Sequence, residues 1–265
     1  MELRIVHETR YAWDGPFAGA LQQVRLTPRS DPTKEVRAWD VAVEGATVEV
    51  SYDDQWGARV LLVSAGPGSD GLTLRATGEV RTLRGDGLLG RHRGPVPTWA
   101  FLAPTARTAA GEGLRALAAE IPGEGVARLH ALSTAISERV TYAGGTTDAT
   151  TTAEEALAGG RGVCQDHAQI FVACARLLGH PARYVSGYLA LDDRVAQDAT
   201  HGWAEALVDG IGWVGFDPSN GISPDERYVR IAAAPDSDAC APVRGLTRGA
   251  ATERLDVSVQ VQAQQ

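Results

Sequence analysis

At 265 residues, 44% hydrophobic and 22% charged, the chain is long enough to bury a sizeable core divided between two subdomains. A formal net charge of −8 disfavours nucleic acid or an anionic membrane as partner, and no run reaches the roughly 18 uninterrupted apolar residues that cross a bilayer. The opening Met1-Glu2-Leu3-Arg4 lacks an apolar run of signal-peptide type, and an odd count of three cysteines reads as reduced thiols, so the expected compartment is the cytoplasm.

Residues 1 to about 85 alternate in the manner of strands. Val48, Val50 and Tyr52 share one face and Thr47, Glu49 and Ser51 the other, while Leu72, Leu74 and Ala76 alternate with Thr73, Arg75 and Thr77. Turn formers at Asp53-Asp54 and Gly66-Pro67-Gly68 separate the runs, which predicts an antiparallel sandwich. The Gly- and Pro-rich passage Gly85 to Pro97 reads as a link. Helical spacing follows in Leu114, Leu117, Ala118 and Ile121, and again in Leu129, Leu132 and Ile136. Thr151 or Thr152 with Glu154 or Glu155 makes a capping box for a short helix that stops at Gly159-Gly160.

The segment Gly159-Gly160-Arg161-Gly162-Val163-Cys164 then delivers a cysteine to the first turn of a helix, Gln165 to Leu178, that is apolar on nearly every side. Unpaired N–H groups and the positive end of the helix dipole favour a thiolate there, and the same N–H groups suit a developing oxyanion. A cysteine nucleophile needs a base, and the base an orienting partner. His201 opens an alternating stretch to Val208, Asp209-Gly210 turns the chain, and Trp213 to Phe216 returns it, so a hairpin carries Asp217 back to His201. Near the end, Leu255, Val257, Val259 and Val261 alternate with polar residues, which predicts a strand that rejoins the N-terminal sheet.

Several of these stretches together resemble the bacterial transglutaminase-like superfamily. They are Val140-Thr141-Tyr142, Gly162-Val163-Cys164-Gln165-Asp166, Pro181 through Leu189, His201-Gly202-Trp203-Ala204-Glu205 and Gly212 through Gly221, and the beginning of the chain, Leu3 to Tyr11 and Val24 to Arg29, is similar to the β domain that accompanies that core. The resemblance implies an α+β chain with an antiparallel β-sandwich-like domain at 1–95, a papain-like core of helices on an antiparallel sheet at 96–232, and a C-terminal extension with a strand at 233–265. It maps a Cys-His-Asp triad onto Cys164, His201 and Asp217. The chain differs from the family pattern at His167, where an aromatic residue is usual, at Gln169, where histidine is usual, and at Gly202, where alanine is usual. It also differs at Ala232 to Cys240, where relatives tend to carry a Gly-Arg-Asp-Tyr element.

The chemistry expected is thiol-based acyl transfer from a peptide or protein amide. Water as second nucleophile gives a peptidase or amidase acting on peptide, isopeptide or other amide bonds, and an amine gives a transglutaminase; a non-catalytic peptide-binding module on the same fold is the rival. Tyr142, Tyr188 and Trp203 are candidate substrate-binding residues, with Arg183 a further candidate for the cleft. Asp166 is read as a cap of the helix start or a partner of Arg183. No cofactor or metal is implied. Cys164, His167, Cys174 and His180 match no paired zinc framework, and the two cysteines lie about 80° apart around a helix. No calcium loop is found, and the Gly159 to Gly162 run lacks the Gly-Lys-Ser/Thr of a phosphate loop. The oligomeric state is not legible.

Overall fold

A computed structural model describes residues 1–83, 85–191 and 195–264. The N-terminal unit holds β1 (Glu2–Asp14), β2 (Phe17–Thr27), β3 (Lys34–Glu44), β4 (Thr47–Asp53), β5 (Arg59–Ala65) and β6 (Gly71–Thr82). In β1, Leu3, Ile5, His7, Thr9, Tyr11 and Trp13 are buried and alternate with more exposed residues, as a pleated strand with one covered face requires. β4 departs from the expected period. Its pairing with β5 shifts between Val48 and Val50, and both valines are exposed on an edge strand.

The passage read as a link contains β7 (Leu88–Gly90), and a 3-10 turn (Thr98–Leu102) follows. The helices are α1 (Glu112–Glu120), α2 (Gly125–Arg139), α3 (Ala153–Gly159) and α4 (Cys164–Leu177), with the two-residue strands β8 (Thr141–Tyr142) and β9 (Arg161–Gly162) between them. Then come β10 (Ala182–Leu189), β11 (Ala196–Gln197), β12 (His201–Val208), β13 (Gly212–Phe216), β14 (Tyr228–Ala234), α5 (Ser237–Cys240), β15 (Val243–Gly249) and β16 (Thr252–Gln264).

Two antiparallel sheets, ordered β11-β16-β1-β6-β3 and β15-β2-β5-β4, enclose Tyr11, Trp13, Val24, Leu26, Val63, Leu72 and Leu74. The last strand pairs with β1 from Asp14↔Thr252 to Glu2↔Gln264, and β15 pairs with β2. The residues after Ala234 therefore complete both N-terminal sheets. The core sheet runs β14-β10-β12-β13-β7. Its residues Ala182, Ala204, Ala206 and Phe216 share one cluster with α4, and the Phe216 ring stacks on Phe171 at 4.8 Å.

α4 is covered on every side, with residues 166 to 176 all buried, which explains its unusually apolar composition. α1, α2 and α3 pack on it from the side away from the sheet. Glu154 of α3 accepts the N–H groups of Gly111, Gly113 and Leu114 at 2.9, 2.7 and 3.1 Å, so one carboxylate satisfies the start of α1.

The only basic residue in the last turn of α4 is Arg176, which is 8% exposed. Its guanidinium donates to the carbonyls of Phe101 (2.8 Å), Ala182 (2.9 Å) and Pro235 (2.6 Å) and to the Thr108 hydroxyl (2.7 Å). Burial pulls it down to about 10, so it remains a cation at neutral pH. It ties the 3-10 turn, β10 and the end of β14 to α4. Arg176→Leu strands these acceptors, and urea unfolding should register a loss of roughly 3–5 kcal/mol; a change under about 1 kcal/mol would show that the network contributes little.

Candidate active site

The approach to Cys164 is built from local constraints. α3 opens with the Thr152–Glu155 capping box and closes at Gly160, whose φ of 60° is left-handed. β9 then pairs in parallel with β8, Tyr142↔Gly162, which anchors the backbone before the cysteine. Asp166 turns back onto this strand and accepts from the Val163 N–H and the Thr147 hydroxyl, both at 2.7 Å. A Cβ at position 162 would lie 2.7 Å from Asp166 Cβ and Oδ2, so glycine is what admits the carboxylate. His167 brackets the carbonyls of Val163 (2.9 Å) and Val140 (2.8 Å), and is a structural tie rather than a cleft residue. The N–H groups of Cys164 and Gln165 have no partner among the described residues and stand at the start of α4.

His201 and Asp217 come together as the hairpin reading expects. β12 and β13 are antiparallel with Ala204↔Phe216, which brings the residue after Phe216 beside the start of β12. His201 Nε2 lies 2.6 Å from Asp217 Oδ2. Cys164 lines the same cleft as His201 and stands near enough to its ring to favour the charged imidazole.

Asp217 is wholly buried. Its Oδ2 also accepts from Asn220 Nδ2 (2.7 Å) and the Tyr228 hydroxyl (2.8 Å). Oδ1 accepts from the Ser219 N–H (3.0 Å), the Ser219 hydroxyl (2.6 Å) and the Asn220 N–H (3.2 Å). Burial opposes ionisation, but these donors, His201 first, hold the carboxyl well below the usual carboxylate range. Burial likewise disfavours a charged imidazole, yet the bond to Asp217 and the proximity of Cys164 outweigh it and raise His201 to about 10. The ring is thus an imidazolium through neutral pH, seated on Trp203 and edged by Tyr228.

A cleft of about 810 Å³ opens over this group. Its walls are Val163 to Gln165, Tyr142, Tyr184, Ser186, Leu189, the segment Ala196 to Thr200, Ser219-Asn220, Ser237-Asp238 and Cys240 to Pro242. The 196–200 wall is fixed to the N-terminal unit through the pairing of β11 with β16. Two of the departures from the family pattern meet behind the cleft, because the buried Gln169 Oε1 accepts from the hydroxyl of the lining residue Ser237 at 3.1 Å.

Of the three candidate substrate-binding residues, Tyr142 lines the cleft and is 59% exposed. Tyr188 does not. It is buried against the N-terminal unit, with its hydroxyl 3.0 Å from His7 Nδ1 and its ring beside Trp39. Trp203 is also absent from the cleft surface, being 2% exposed beneath the imidazole. Arg183 turns the other way, to Glu205 (2.5 Å) and onto the Trp213 ring (3.9 Å). The residues that sequence reasoning missed are Ser219, Asn220, Tyr228 and Tyr184. The Asp-Pro-Ser-Asn run after Phe216 carries the signal for the first two, since its short polar side chains favour bonds to the neighbouring backbone. Tyr228 and Tyr184 have no comparable signal.

The description "Transglutaminase-like superfamily" matches residues 115–218, and "Bacterial transglutaminase-like N-terminal region" matches residues 3–81. An uncharacterized protein of Mycobacterium leprae is 29% identical over 284 aligned positions, covering 98% of each chain. An uncharacterized protein of Mycobacterium tuberculosis is 38% identical over 144 positions, which span 50% of this chain and 46% of that one. The crystal structure of a candidate cysteine protease from Cytophaga hutchinsonii superposes with a TM-score of 0.79 at 21% identity, over 100% of this chain and 92% of the other, and shares the fold.

Burial pushes the thiols of Cys174 and Cys240 up to about 12, whereas Cys164 is partly exposed beside a cation. Iodoacetamide at pH 7 should therefore alkylate Cys164 far faster than the other two, as read by peptide mass mapping. Asp217→Asn removes the charge that holds the imidazolium, and should slow this labelling by about tenfold or more at pH 7. The gap should narrow as the wild type loses its imidazolium toward pH 10. Equal labelling of all three thiols would contradict the assignment.

Proposed function

The chain belongs to the transglutaminase-like superfamily, and from that premise we propose that it is a cysteine hydrolase acting on peptide, isopeptide or other amide bonds through an acyl-enzyme on Cys164. The observation that carries this reading is the placement of His201: one ring nitrogen is bonded to a fully buried carboxylate, and the ring and Cys164 line the same open cleft.

In this reading Cys164 Sγ attacks the amide carbonyl carbon, and the carbonyl π pair moves onto oxygen. The unpartnered N–H groups of Cys164 and Gln165 stabilise the oxyanion. Its collapse re-forms the carbonyl and expels the amine, which takes its proton from the His201 imidazolium. Neutral His201 then draws a proton from water, whose oxygen attacks the thioester, and the thiolate leaves. Asp217 keeps the ring in one orientation and favours its charged form throughout. No metal or cofactor is required for any step.

Amine transfer is the second reading. Asp198 lines the cleft and has no ion pair among the described residues, so it offers a carboxylate to an incoming ammonium group. A primary amine in place of water would yield a transglutaminase product from the same acyl-enzyme.

A panel of glutaminyl peptides and isopeptides, incubated with and without a primary amine, separates the readings. The expected result is carboxylate product in both incubations, none with Cys164→Ala, and kcat/KM lower by about 10²–10⁴ with His201→Ala. Amine adducts as the main product would favour transfer. Absence of any product, with rapid alkylation of Cys164 intact, would favour a binding module.

A further inference from the structure

Tyr184 lies on β10 with its ring directed along the neighbouring strand toward the start of β12. Its cross-strand partner is Ala204, but its hydroxyl reaches as far as Gly202, beside His201. A Cβ at position 202 would collide with Tyr184 Oη and lie 2.7 Å from Cζ. The glycine is therefore the space into which the phenol fits, and a tyrosine of this length and a side chain at 202 exclude each other in this geometry.

The hydroxyl has a second property. Tyr184 is 7% exposed, yet its Oη has no hydrogen-bond partner among the described residues. A confined phenol usually finds one. What surface it retains opens on the cleft, where Cys164 forms part of the same lining. Burial, and after it the charge of Cys164, hold the phenol well above its ordinary value, so it stays an O–H donor across the working pH range.

We propose that the Tyr184 hydroxyl is a catalytic hydrogen-bond donor to the oxyanion formed when Cys164 attacks a carbonyl. This rests on Cys164 being the nucleophile of an acyl transfer. As the C–S bond forms and the carbonyl π pair localises on oxygen, the phenol donates a hydrogen bond to that oxygen and keeps its proton; when the carbonyl re-forms, the bond weakens. A side-chain donor then joins the two N–H groups at the start of α4. Gly202 has its role through Tyr184, as the residue that lets the hydroxyl approach.

Two reagents divide this role from a general effect on the thiol. Iodoacetamide reacts at a saturated carbon and develops no oxyanion, whereas 4-nitrophenyl acetate acylates sulfur through a tetrahedral oxyanion. With Tyr184→Phe, the acylation burst of 4-nitrophenolate should slow by about 10²-fold. Alkylation of Cys164 should stay within about twofold of wild type, which also certifies that the variant is folded with its Cys-His contact intact. Gly202→Ala should slow acylation by displacing the hydroxyl, and adding it to Tyr184→Phe should cost little more. Equal acylation by wild type and Tyr184→Phe would overturn the proposal, as would an equal fall in both reactions, which would make Tyr184 a residue that sets thiol reactivity. A wild type that is alkylated at Cys164 but never acylated would instead overturn the acyl-transfer reading itself.

Discussion

The site depends on a carboxylate with no surface open to solvent. Removing an ion from water is costly unless hydrogen bonds replace the hydration it loses. Asp217 meets that condition with six donors, three on each oxygen, drawn from His201, Ser219, Asn220 and Tyr228. With both oxygens occupied, the carboxylate has one orientation, and so has the imidazole bonded to it. The charge on His201 follows from this, because the same burial that would discharge an isolated ring strengthens its attraction to a fixed anion.

Three remote parts of the chain must meet for that charge to matter. α4 brings the Cys164 sulfur, the β12–β13 hairpin brings His201 and Asp217, and β14 brings Tyr228. Arg176 joins the end of α4 to β10 and to the end of β14, so the helix that carries Cys164 and the sheet that carries His201 are held by one cation. The N-terminal unit is part of the same frame. β11 attaches a cleft wall to β16, and Tyr188 fastens the core sheet to His7.

Much of this was legible in the sequence, for definable reasons. A glycine run ending at Cys164, an apolar helix behind it, and a hairpin that starts at His201 and ends before Asp217 are all local signals, and local signals survive folding. The last strand was legible because Val257, Val259 and Val261 keep a strict alternation. The donors around Asp217 were less so. Tyr228 reaches the carboxylate from the start of β14, a strand separated from β12 by β10, and no window of sequence contains that sheet order. Tyr188 and Trp203 were misjudged for a related reason. Aromatic residues near a motif suggest a cleft wall, but the first is covered by the N-terminal unit through His7 and Trp39, and the second lies under the imidazole. The departures from the family pattern also gain meaning only in space: Gln169 touches Ser237, and Gly202 makes room for Tyr184.

A buried, fully bonded Asp217 and a charged His201 are two sides of one claim, and nitrogen-15 NMR of the His201 ring over a pH titration addresses it without any substrate. Both ring nitrogens should carry protons at pH 8, with the loss of one toward pH 10. A ring that is already neutral at pH 8, titrating near its ordinary 6.5, would contradict it.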